Sequence, residues 1–204
     1  RLARIRVLAE ATAAERDAAQ PLEKASLDAR LALLAWLGAR LGDPVLAERT
    51  LALAGKPGAH ASYALASKMR RVAAAELARV RGDAAAAVRE LAPLLDGSEP
   101  YLAHVTLMEA HADAGRLENA LAEARWLSTH RGRAYAETGA GSLLMLAGVE
   151  QSNLALLRGA EIAAARADAR TASTQLQAFQ GAWGDASRSG ALATRVKKVQ
   201  SALP

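Results

Sequence analysis

The stretch from Tyr101 to Arg131, YLAHVTLMEAHADAGRLENALAEARWLSTHR, constrains the fold more than any other part of the chain, because it reads as two helices joined by a glycine break. Leu102, Val105, Leu107 and Met108 give the first helix an apolar face, and Ala120, Leu121, Ala124 and Leu127 give one to the second. Gly115 tolerates the left-handed conformation that closes a helix. Two helices separated by so short a turn lie antiparallel, and Ala112, Ala120 and Ala124 let their backbones approach closely. The result is a helical hairpin, a unit that buries its apolar faces by stacking on neighbours of the same kind.

Looser copies of this pattern fill the chain. Leu27, Leu31, Leu34, Trp36 and Leu37 form a stripe that stops at Gly42-Asp43-Pro44, where glycine closes one helix, aspartate caps the next and proline occupies its first turn. Gly82-Asp83 repeats the break, and Ala167-Asp168 repeats it with alanine in place of glycine. Gly55-Lys56-Pro57-Gly58 is a loop, and Pro93 is expected to bend or shorten its helix. The expected organisation is a single helical-repeat domain. A connector or capping helix covers 1–20, hairpins cover 22–55, 59–96, 98–130 and 152–184, an insertion covers 131–151, and a C-terminal capping helix covers 187–204. Within this scheme Leu143 to Val149 is a short helix, Asn153 to Ala165 opens the last hairpin, and Arg195, Lys197 and Lys198 lie on the exposed side of the final helix.

Composition narrows the function classes. Half of the 204 residues are apolar but only 3% are aromatic, so alanine and leucine carry the core, which favours close-packed helices over sheets. The formal charge of +5 is spread among interspersed acidic residues with no basic block, which argues against nucleic acid as the partner. There is no cysteine, hence no disulfide, thiolate nucleophile or Cys-based zinc site, and a cytoplasmic setting is expected. No apolar run reaches the ~18 residues of a membrane span.

The 33-residue interval from Gly82 to Gly115 and the small residues around it resemble the tetratricopeptide repeat, whose period is about 34 residues. In that register Ala75, Met108 and Ala160 take the close-contact position of the first helix, and Ala47, Ala87, Ala120 and Ala172 the matching alanine of the second. The aromatic usual in the first helix is replaced by Leu31, Arg71, His104 and Leu156. The segment from Ser152 to Ala186, with Phe179 and Trp183, resembles the closing repeat of large bacterial signalling proteins, in which such regions follow a kinase, nucleotide cyclase or winged-helix domain. The resemblance implies an all-α fold, an α-solenoid of degenerate tetratricopeptide-like hairpins. It also implies a non-enzymatic scaffold that binds a protein or peptide and serves as a regulatory module. The alternative is a small-ligand sensor reporting to an attached output domain.

On the concave face that this register implies, the ninth position of the first helix reads Trp36, Glu76, Glu109 and Glu161, with Arg79 and Asp113 nearby. Three glutamates on one strip favour a basic segment or an N-terminal amine as partner. The competing reading is that they are ordinary helix residues, some paired with arginines such as Arg79. A sensor would instead enclose a pocket near Tyr101, Tyr135 and Trp126.

Reactive chemistry finds no support in the spacing of polar residues. His104 and His111 are seven apart, too far for two imidazoles to share one metal, and His60 and His130 have no evident partners, so no metal or cofactor is expected. The carboxylates and serines occur in no context that makes an acid/base pair or an activated nucleophile. Gly139-Ala140-Gly141-Ser142 is the one turn whose backbone amides could hold an anion before a helix, with flexible linkage as the simpler reading.

Overall fold

The computed structural model describes residues 1–55, 63–184 and 190–203. Among the described residues the chain is all-helical and has no strand. The helices are α1 (Leu2–Ala18), α2 (Pro21–Arg40), α3 (Pro44–Leu53), α4 (Ala64–Val80), α5 (Ala84–Leu91), α6 (Tyr101–Asp113), α7 (Leu117–Thr129), α8 (Arg131–Ala136), α9 (Leu143–Ala165), α10 (Ala169–Trp183) and α11 (Gly190–Ser201). No helix is long and apolar enough to cross a membrane, among the described residues. Lys56, Pro57 and Gly58 of the expected loop, His60, and the expected start of the final helix at 187 lie outside the described residues.

Four hairpins, α2 with α3, α4 with α5, α6 with α7 and α9 with α10, turn by the same device. The backbone N–H of Asp43, Asp83, Arg116 and Asp168 reaches five residues back to the carbonyls of Gly38, Ala78, His111 and Ala163, at 3.1, 3.0, 2.8 and 2.9 Å. Such a bond needs a left-handed residue just before it. Gly42, Gly82 and Gly115 supply it, and Ala167 does so with φ of 57°. In three of the four turns the aspartate then caps the next helix, accepting from the N–H of Leu46, Ala86 or Thr171. Arg116 has no acceptor side chain and leaves the fourth uncapped.

One boundary differs from the sequence reading. α9 is one helix from Leu143 to Ala165, and its middle is held by burial of Gln151 and Ser152, whose polarity reads as a break. The Ser152 hydroxyl donates back to the Val149 carbonyl at 2.8 Å, so it costs the core no unmet polar group. The span 131–151 is thus α8, a tight turn and the first two turns of α9. Pro93 acts as expected, ending α5 at Leu91 in a single 3-10 turn, Ala92–Leu94.

The first helices of the hairpins pack against one another in succession, α2 on α4, α4 on α6 and α6 on α9, and α9 reaches back to touch α2. Trp36, Met69, Tyr101, Leu102 and Leu107 are among the large side chains fully buried between them. Close crossings are made by small residues. A Cβ at Gly159 of α9 would lie 3.2 Å from the Ala124 Cβ of α7, and one at Gly38 of α2 would lie 3.5 Å from the Ala47 backbone of α3. α1 packs on α2 and α3, α8 lies on α9, and α11 bridges α9 and α10.

Candidate functional site

Glu76, Glu109 and Glu161 come from α4, α6 and α9, whose succession carries them along one side of the layer of first helices. Each is met by arginine. Arg79 holds both oxygens of Glu76, at 2.6 and 3.2 Å, and reaches Asp113 at 2.6 Å. Arg40 approaches Glu76 at 3.4 Å, Glu109 at 3.7 Å and the amide oxygen of Gln151 at 3.3 Å. Arg158 joins Glu109 at 2.9 Å to Glu161 at 3.4 Å, and Arg195 of α11 closes the far end on Glu161 at 2.6 and 2.9 Å. Four arginines therefore face four carboxylates in an unbroken ladder. Burial works against the charge of Arg79, but its bonds to Glu76 and Asp113 more than offset that and hold its proton more tightly than usual. Arg195, expected on the exposed side of its helix, is drawn into the ladder.

This pairing favours the internal reading of the acidic strip. A basic peptide would have to displace an arginine already in place, and the attraction it could gain has been used. Trp36 is fully buried and donates its indole N–H to the Thr106 hydroxyl at 2.9 Å, so it presents no surface to a partner. Arg40 and Arg158 have no role in the sequence reading, and Arg195 enters it only as an exposed residue of the final helix. The one local signal was the three-residue spacing of Arg158 and Glu161, the same that joins Glu76 and Arg79.

The aromatic group near Tyr101 is likewise closed. The Trp126 ring stacks on His104, at 3.4 Å between centroids, and on His130, at 4.4 Å, while the Arg133 guanidinium lies 5.3 Å from it. Both nitrogens of His104 are engaged, Nδ1 with Glu123 at 2.6 Å and Nε2 with Glu99 at 3.3 Å. Burial opposes the charge of Glu99, yet hydrogen bonds from the backbone, Arg133 and His104 prevail and hold its carboxyl below the usual range. Burial also pushes Glu137 up, against the Tyr101 N–H that it accepts at 2.8 Å. The Tyr101 hydroxyl is spent on the Leu127 carbonyl at 2.7 Å. With both ring nitrogens of His104 engaged and Trp126 stacked on two imidazoles, this cluster ties α6, α7 and α8 together. Tyr135 is exposed outside it.

Among the described residues no group of three or more His, Asp or Glu side chains is placed to hold a metal ion. The turn at Gly139 to Ser142 runs left-handed through Ala140, Gly141 and Ser142 and packs on Arg30, Tyr63 and Leu65.

A further open surface is lined by apolar side chains. α1, α2 and α9 enclose an open cleft of about 250 Å³. Leu33, Leu34 and Leu37 of α2 form its floor, Ile5 and Leu8 of α1 one wall, and Leu143, Leu146 and Ala147 of α9 the other. Each helix contributes residues spaced three or four apart, so the cleft is a groove running along three helices. Leu8 and Leu146 stand 50% and 60% exposed, and Val7, on the outer side of α1, is 64% exposed. Sequence places Leu2, Ile5 and Leu8 on one side of α1 and arginines on the other, but the meeting of α1, α2 and α9 that leaves Leu8 half exposed depends on tertiary packing.

No family model matches the sequence, and no curated protein or solved structure matches it either.

Proposed function

We propose that this chain is a non-enzymatic scaffold, an α-solenoid of tetratricopeptide-like hairpins acting as a regulatory module of a bacterial signalling protein, and that it docks a partner helix in the groove between α1 and α9. The observation that carries the reading is the exposure of Leu8 and Leu146 on opposite walls of a groove floored by leucines. An amphipathic helix lays apolar residues at this same spacing into such a groove. The small-effector alternative fits the groove less well, since about 250 Å³ in an open cleft falls below the ~300–1,000 Å³ that enclose drug-sized ligands. One observation favours that alternative elsewhere, a cleft of about 430 Å³ between α9 and α11 lined by Arg158, Arg195 and Lys198.

A designed amphipathic peptide of about five helical turns with a leucine stripe serves as the probe. Fluorescence anisotropy should show saturable binding that Leu8→Glu with Leu146→Glu abolishes, while circular dichroism stays unchanged because both side chains are largely exposed. Binding that survives the double substitution would place the peptide elsewhere and refute the reading.

A further inference from the structure

The two rims of the groove differ in charge. Arg4 borders it on α1, with Arg1 one turn earlier, and Glu150 borders it on α9. Among the described residues none of the three is joined to an ion-pair partner, in contrast to the arginines and carboxylates of the ladder, which are all taken. One cation on the α1 rim and one carboxylate on the α9 rim, on either side of a leucine floor, distinguish the two flanks of a helix laid between them, as the positions beside a coiled-coil seam do.

We infer that the occupant of the groove is a mixed-flank amphipathic helix, with an apolar stripe against α2, an acidic flank towards Arg4, and a basic flank towards Glu150. This rests on the docking reading above and adds to it the chemistry of the partner. Because reversing a helix exchanges its left and right flanks, opposite rims also fix the direction in which the helix lies.

Three leucine-stripe peptides test it, one with glutamate on one flank and lysine on the other, one with glutamate on both and one with lysine on both. At low salt the mixed peptide should bind about fivefold more tightly than either, the scale of exchanging one exposed attraction for a repulsion. Glu150→Lys should strengthen binding of the all-glutamate peptide, and Arg4→Glu that of the all-lysine peptide. Equal affinities that ignore both substitutions, yet vanish with Leu8→Glu and Leu146→Glu, would overturn the flank rule and leave helix docking intact. Failure of all three peptides to bind would remove both. A dimer in sedimentation equilibrium that the Leu8→Glu and Leu146→Glu variant abolishes would put a second copy in the groove and also overturn the inference.

Discussion

Replacing Trp36 by alanine is expected to cost about 3–5 kcal/mol of folding free energy, a large share of the roughly 5–15 kcal/mol that holds a domain together. The side chain is fully buried, the Arg40 guanidinium lies 4.9 Å from its ring, and its indole N–H is the partner of the buried Thr106 hydroxyl on α6. Alanine would leave a void between α2 and its neighbours and strand that hydroxyl. Trp36→Phe separates the two effects, because it keeps most of the volume and should cost about 1–2 kcal/mol for the lost hydrogen bond. Adding Thr106→Val removes the stranded group and should recover part of that loss. Urea denaturation of the two single variants and the double variant reads the coupling directly. If Trp36→Ala left the midpoint unchanged, the packing of α2 described above would be wrong.

Glu76→Ala is expected to cost about 3 kcal/mol, for a different reason. Glu76 is fully buried, and its carboxylate is what allows Arg40 and Arg79 to sit close together. Removing it leaves two cations facing each other with only Asp113, Glu109 and Gln151 to hold them. Replacing the ladder residues Glu76, Arg40 and Arg79 together by apolar residues of similar size should be far milder than the single change, since well-packed hydrophobes often replace buried ion groups without loss. Thermal unfolding of the single and triple variants distinguishes the two. It follows that exchanging Glu76, Glu109 and Glu161 together for glutamine, a natural test of an acidic binding strip, would report on folding and not on binding.

The hairpins were legible because their turns are written locally. A left-handed residue followed by a capping aspartate is a property of two adjacent positions, and it recurs at Gly42, Gly82 and Ala167. The charge ladder was only half legible. Glu76 and Arg79 lie on one helix and could be paired by spacing, whereas Arg40 meets Glu76 and Arg195 meets Glu161 across different helices, and such meetings depend on how far each hairpin is rotated against the next. The continuity of α9 was hidden by Gln151 and Ser152, polar residues that the packing buries and satisfies. The groove was hidden for the opposite reason. Leu8 lies on the apolar side of its helix in sequence, and only the arrangement of α1, α2 and α9 shows that half of it stays exposed beside Leu146.

The most direct measurement is a map of backbone amide shifts as the isotope-labelled chain is titrated with the mixed-flank peptide. The account predicts that the changes cluster around Leu8, Leu34 and Leu146 and leave the ladder at Glu109 and Arg158 undisturbed. Changes centred on Glu109 and Arg158, with the groove silent, would contradict it.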